Sequence, residues 1–286
     1  MLKLTANAKI NLSLDVLGKR NDNYHFVRMI MQEIDLNDTV TLTTTETKKI
    51  EISSNILIDC PNNKNSTYIA AMEFFKYTCI TNPGLNISIK KNIPICAGLA
   101  GGSSDAGAVI LGLNKIFETK LSEKELLTIG EKVGSDVPFC MLGGTMLAKG
   151  TGTHLTRLPD IPDCSIVIAT PDGAKVSTKE AYNNIDHLPT CIDTKQDNLL
   201  AAIKNHDIFD ISKNLYNKFE QTVNIFGIEK IKNIMKECET LGSLMTGSGP
   251  TVFGIFDSLL KATECTNKLK KLYKRVYLTK PVKSIL

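Results

Sequence analysis

The chain has 286 residues, enough for about two domains that each bury a core without staples. Hydrophobic residues are 42% and charged residues 22%, which excludes a disordered chain, and no apolar run approaches the ~18 residues that cross a bilayer. With 34 basic against 30 acidic side chains, a net charge of +4 does not call for nucleic acid; the basic group Lys268, Lys270, Lys271, Lys274 and Arg275 reads as a solvated helix face.

In chain order, the first element is a strand. Leu2, Leu4, Ala6, Ala8, Ile10, Leu12, Leu14 and Val16 alternate with polar residues, so one face is core and the other polar. Lys9 and Asn11 share that polar face. The start has no leader-like apolar segment, and a cytoplasmic protein without a membrane partner is expected. Gly18 to Asn23 reads as a turn. Val40 and Leu42, then Ile50 and Ile52, read as a hairpin. Asn65 suits the N-cap of a helix over about 66–79, and Leu85, Ile87 and Ile89 form another alternating strand. After the glycine-rich residues 98–107 comes an apolar stripe, Val109, Ile110, Leu113, Ile116 and Phe117. Ser122 and Glu125 form a capping-box pattern, Gly134 can close that helix, and Pro138 suits the first turn of another.

Ser165 to Thr170 reads as a strand, followed by helices around 197–219 and 228–240 and a strand at Leu244-Met245. A second glycine-rich loop, Thr246-Gly-Ser-Gly-Pro-Thr251, precedes a strand at 252–256, a helix at 258–273 and a last strand at 276–278. Strand runs and helix runs segregate, which gives an α+β class, with domains expected at 1–160 and 161–286. The eight cysteines form no CxxC pair and no zinc spacing with the four histidines, so free thiols are expected.

Three glycines and two serines before a helix can cradle phosphate: glycine lets the backbone approach closely, and the helix start offers free N–H groups and a favourable dipole. A Walker loop is excluded because no Lys follows the glycines, and the dinucleotide fingerprint fails on spacing. A plain capped turn fits the composition equally well. The segment Pro94-Ile-Cys-Ala-Gly-Leu-Ala-Gly-Gly-Ser-Ser-Asp-Ala106 resembles the phosphate-binding signature of the GHMP kinases, named for galactokinase, homoserine, mevalonate and phosphomevalonate kinases.

Further segments resemble one branch of that superfamily, which phosphorylates the 2-hydroxyl of 4-diphosphocytidyl-2-C-methyl-D-erythritol on the non-mevalonate route to isoprenoid precursors. They are Ala6-Asn-Ala-Lys-Ile-Asn-Leu12, Gly18-Lys-Arg-x-Asp-x-Tyr-His25, Met31-Gln-x-Ile-Asp-Leu36, Gly134-Ser-Asp-Val-Pro-Phe139, Gly143-Gly-Thr145, Val176-Ser-Thr-Lys-x-Ala-Tyr182 and Thr246-Gly-Ser-Gly-Pro-Thr-Val-Phe253. Three positions depart from the pattern: Asn7 stands in place of Pro, Asn23 in place of Gly, and Ile69 in place of Lys.

The resemblance implies a ribosomal-protein-like N-terminal α+β module, a ferredoxin-like C-terminal one, and a site in the cleft between them. Pro94, Gly98, Leu99, Ala100, Gly101, Gly102, Ser103, Ser104 and Asn65 would bind ATP. Asp136 would take the proton of the attacking hydroxyl, and Lys9 would orient that hydroxyl and offset developing charge. Tyr24 and Tyr182 would sandwich the cytosine of a substrate carrying a cytidine diphosphate, His25 would read its edge, and Asn11 and Asp136 would contact the hydroxyls. Mg²⁺ is expected with ATP, with Ser104 its one candidate ligand and the metal otherwise held by phosphates and water. A monomer or homodimer is expected. The rival readings are another kinase of the superfamily, for homoserine or a mevalonate derivative, and a ligand-sensing relative without activity.

Overall fold

The computed structural model describes residues 1–22, 24–58, 60–174, 176–188, 195–222 and 225–284; Asn23 and Cys191 lie outside them. It divides into two compact units, one of residues 1–8, 36–95 and 100–142, the other of 9–35, 96–99 and 143–286. Two long strands, β1 (Leu2–Lys19) and β2 (His25–Thr44), contribute to both.

In the first unit, β3 (Ile50–Ser54) pairs parallel with β4 (Leu85–Lys90), and β4 pairs antiparallel with the end of β2, Leu42 opposite Ile87. The hairpin expected of β2 and β3 is therefore absent, because β4 lies between them. The polar residues after β2 bond instead to the turn before β4: Thr45 N donates to Gly84 O at 2.9 Å and Lys48 N to Pro83 O at 3.0 Å. Gly84 has φ +121°, and a Cβ there would sit 2.2 Å from Thr45 Oγ1, so only glycine permits this approach.

Helices α1 (Ser66–Thr78), α2 (Gly101–Ile116), α3 (Glu123–Val133) and α4 (Val137–Leu142) belong to this unit. Phe74, Phe75, Val109, Ile110, Leu113 and Ile129 join Leu42, Leu85 and Ile87 in one core. Asn65 caps α1, accepting from Thr67 N at 3.0 Å, and Ser122 and Glu125 form the expected capping box on α3.

In the second unit, the start of β2 pairs antiparallel with β5 (Thr145–Gly150), which pairs with β6 (His154–Arg157). A four-stranded antiparallel sheet combines β7 (Ser165–Thr170), β9 (Gly242–Met245), β10 (Val252–Phe256) and β11 (Arg275–Thr279) in the order β11-β7-β10-β9. Helices α5 (Thr178–Ile185), α6 (Lys195–Lys204), α7 (Ile208–Lys213), α8 (Ile228–Glu237) and α9 (Leu259–Lys270) complete it, with α8 and α9 packed on the sheet. The helical stretch expected to reach 219 stops at 213. Tyr216–Asn217 forms β8 instead, parallel to β1 at Ser13 and Leu14.

The polar face of β1 is covered from Lys9 to Asp15: Lys9 is 4%, Asn11 0%, Ser13 0% and Asp15 2% exposed, while Lys3 and Thr5 near its start face solvent. Each covered residue finds a buried partner. Gln196 donates to Ser13 Oγ at 2.9 Å, and Lys218 sits 3.4 Å from Asp15 while donating to Val16 O at 2.7 Å. The α+β class holds.

Candidate active site

Gly98 has φ +76° and Ala100 lies in the left-handed region as the N-cap of α2, so the helix opens at Gly101. Ser104 is therefore inside the helix and not its cap. Two glycines keep the opening narrow. A Cβ on Gly101 would lie 3.0 Å from Ile93 and 3.3 Å from Lys91 Nζ; one on Gly102 would meet Ser66 Oγ at 3.7 Å. The first residues of α1 and α2 thus converge, and two sets of free N–H groups with two helix dipoles favour an anion there. Gly102 is exposed, Gly101 and Ser103 half-buried, and Pro94 and Leu99 buried as anchors. Lys9 N donates to Leu99 O at 3.2 Å, which ties the loop to β1.

Sequence reasoning missed Ser66 and Lys91. The second had a signal: a basic residue ending a strand that leads into a glycine loop. Lys91 Nζ is buried between two carboxylates, Asp38 and Asp105, the latter at 2.7 Å. One cation cannot neutralise both. Burial pushes the Asp105 carboxyl up to about 7 against the pull of Lys91, and the Asp38 charge adds to the rise. Its Oδ1 has no hydrogen-bond partner among the described residues. The folded state then holds a proton that the unfolded chain releases near pH 4. This contribution to stability is full below that pH and is lost as pH rises through about 7. Asp105→Asn, which mimics the neutral acid, should gain stability relative to wild type from pH 5 to 8, read as urea midpoints.

Lys9 Nζ donates to Asn11 Oδ1 at 2.7 Å. That oxygen also accepts from Gly247 N at 3.1 Å, and Asn11 N donates to Thr246 Oγ1 at 3.0 Å. Asn11 is fully enclosed, and in this structure it holds Lys9 and the second glycine loop. The two glycine loops also touch. A Cβ on Gly98 would lie 2.5 Å from Thr246 O, and one on Gly247 would lie 3.1 Å from Gly98 O. Asn217 holds the second loop from below, donating to Met245 O at 2.6 Å and Gly247 O at 2.8 Å.

Asp136 is half-buried and immediately precedes α4, its carbonyl accepting from Cys140 N at 3.0 Å. Two glycines let α4 settle against its neighbours. Gly107 on α2 leaves room for Met141, and Gly130 on α3 leaves room for Met141 and Val137, each Cβ position lying 3.0 Å from Met141. This fixes the turn that carries Asp136.

His25 is 8% exposed, and its ring stacks on Tyr182 with centroids 4.7 Å apart and planes 25° apart. Tyr182 meets Phe219 edge-on at 4.9 Å. Tyr24 is 63% exposed and touches no other ring among the described residues. His25 Nε2 lies 2.7 Å from Asp186 Oδ1, and Lys19 Nζ lies 3.0 Å from Asp186 Oδ2. Asp186 was not foreseen.

Comparison with known proteins joins these local features. Residues 65–144 match the family model described as the GHMP kinases N terminal domain, and residues 199–275 match GHMP kinases C terminal. The 4-diphosphocytidyl-2-C-methyl-D-erythritol kinase of Caldicellulosiruptor bescii is 43% identical over 97% of this chain and 97% of its own. That of Clostridium beijerinckii is 41% identical over 98% of this chain and 100% of its own. The chain belongs to the 4-diphosphocytidyl-2-C-methyl-D-erythritol kinase family of GHMP kinases.

A crystal structure of a 4-(cytidine 5'-diphospho)-2C-methyl-D-erythritol kinase superposes with TM-score 0.81 at 26% identity, covering 98% of this chain and 99% of that one. Homoserine kinase from Cytophaga hutchinsonii superposes at 0.77 with 21% identity over 99% and 95%, a likeness of fold alone. As a member of this kinase family, the chain shows how two of its departures are absorbed. Ser104 donates its hydroxyl to the Asn7 carbonyl, a group that proline also carries. Ile69 is half-buried in the first turn of α1 and offers no donor to a nucleotide. No cluster of three or more His, Cys, Asp or Glu suited to a metal occurs among the described residues, and the Ser104 hydroxyl is committed to Asn7. Among the described residues, the side chains therefore form no resident Mg²⁺ cage. Among the described residues no helix is long and apolar enough to cross a membrane.

Proposed function

We propose that the protein transfers the γ-phosphoryl group of ATP to the 2-hydroxyl of 4-diphosphocytidyl-2-C-methyl-D-erythritol, in the cytoplasm, as a step toward isoprenoid precursors. The observation that carries this reading is the end-to-end likeness, at 41–43% identity, to kinases named for that substrate. The convergent starts of α1 and α2 support it, because they suit the phosphates of a nucleotide.

In this mechanism the substrate hydroxyl oxygen attacks the γ-phosphorus and the bond to the bridging oxygen of ADP breaks. The hydroxyl proton passes to Asp136. Lys9, held by Asn11, offers its ammonium to the oxygens on which charge builds. The N–H groups from Gly101 to Ser103 hold the phosphates, and Mg²⁺ enters on ATP as part of the substrate. Tyr182 and His25 form the platform for the cytosine. Tyr182→Ala should raise KM for the cytidine substrate about tenfold or more, since a base–aromatic stack contributes about 1–3 kcal/mol, while KM for ATP stays close to wild type. An equal rise in both constants would remove Tyr182 from the base site.

The direct test is ADP release from ATP and Mg²⁺ with the diphosphocytidyl substrate, homoserine, mevalonate and phosphomevalonate. Turnover confined to the first is expected. Turnover of one of the others in its place would keep the phosphoryl-transfer chemistry and overturn the substrate.

A further inference from the structure

We propose that Asp186 is a positioning residue for nucleobase selection: by accepting the Nε2–H of His25 it presents Nδ1 as a hydrogen-bond acceptor, selecting a base edge with an amino group over one with a carbonyl. The inference rests on the proposed cytidine substrate.

Three observations carry it. First, the ring of His25 is constrained twice. Tyr182 lies on its face at 4.7 Å, and Asp186 holds its edge at 2.7 Å. Both partners come from one helix end, four residues apart, and Asp186 N donates to Tyr182 O at 3.3 Å. Residues spaced by four share a helix face, so a single element fixes both the plane of the imidazole and its rotation within that plane.

Second, the direction of the bond is set. The hydrogen bonds from His25 and Lys19 hold the Asp186 carboxyl below the usual carboxylate range. An ionised carboxylate only accepts, so Nε2 must carry the hydrogen. In the neutral ring this leaves a bare lone pair on Nδ1. Third, Nδ1 makes no hydrogen bond to any described residue, so that lone pair is uncommitted. Cytosine offers an exocyclic amino group, a donor, where uracil offers a carbonyl, an acceptor. The first pairs with a lone pair and the second is repelled by it.

The experiment compares wild type, Asp186→Ala and Asp186→Asn on the diphosphocytidyl substrate and its diphosphouridyl analogue. Wild type should favour the cytidine compound by about a hundredfold in kcat/KM or more. Asp186→Ala should lower that ratio about tenfold, through a higher KM for the cytidine compound with KM for ATP little moved. Asp186→Asn, whose amide can donate to Nε2 and so place a hydrogen on Nδ1, should narrow the ratio further. An unchanged ratio in both variants would overturn the proposal, as would equal losses on both nucleotides together with the KM for ATP. If wild type turns over neither nucleotide compound, it is the substrate reading that has failed. Imidazole ¹⁵N spectra of the full chain test Asp186 without turnover, with His25→Gln to assign the signal. His25 should be in the Nε2–H form in wild type and a mixture in Asp186→Ala; an Nδ1–H form in wild type would overturn the assignment.

Discussion

Asp136→Asn should leave the chain folded and lower kcat about 10³-fold, within the range of a positioned acid–base group. Asparagine keeps the size of the side chain and the turn before α4, which Gly107 and Gly130 shape through Met141. It cannot take a proton. In the proposed mechanism, with a loose phosphoryl-transfer transition state, the carboxylate orients the hydroxyl as well as accepting its proton. The expected signature is a loss in kcat with KM for ATP nearly unchanged, measured by ADP release, and a thermal midpoint close to wild type. Near-normal turnover would remove Asp136 from the mechanism.

Gly98→Val should be the most damaging change in the phosphate loop. At φ +76° a β-branched residue is strained, and its Cβ would lie 2.5 Å from Thr246 O, a backbone atom that cannot swing away. One of the two glycine loops must move. The cost is expected at about 2–4 kcal/mol in denaturant unfolding, with ATP affinity falling as the loop shifts. Gly102→Ala is the contrast. Gly102 is exposed within α2, its φ is not positive and its nearest neighbour is 3.7 Å away, so alanine should keep or raise stability by up to about 1 kcal/mol. Equal destabilisation by the two changes would mean that the contact with Thr246 is not what requires glycine at position 98.

The parts of the fold legible in the sequence are those whose two faces differ. The alternation along β4, Leu85-Asn-Ile-Ser-Ile89, and the capped starts of α1 and α3 carry local signals that the structure follows. The first half of β2 does not: Met29, Ile30, Met31 and Gln32 are all buried, so no period of two survives. The pairing of β3 with β4 was hidden for another reason. It depends on a turn at Gly84, 30 residues after the end of β3, and no local rule reads that distance.

In the site, the glycine loop is legible because backbone approach leaves a compositional mark. The burial of Lys9 and Asn11 was not, since alternation gives two faces without saying what covers the polar one. Asp186 and Lys91 escaped because each acts through a residue distant in sequence, His25 and Asp38 respectively.

Because both faces of β1 are enclosed from Ala8 to Val16, its register is specified twice. Sliding the strand by one residue would turn Ile10, Leu12 and Leu14 toward Thr246, Gln196 and Lys218, while Asn11, Ser13 and Asp15 would enter the apolar core. Here each of these polar side chains has fixed partners, so the position of Lys9 along the strand is set by residues two, four and six places further on.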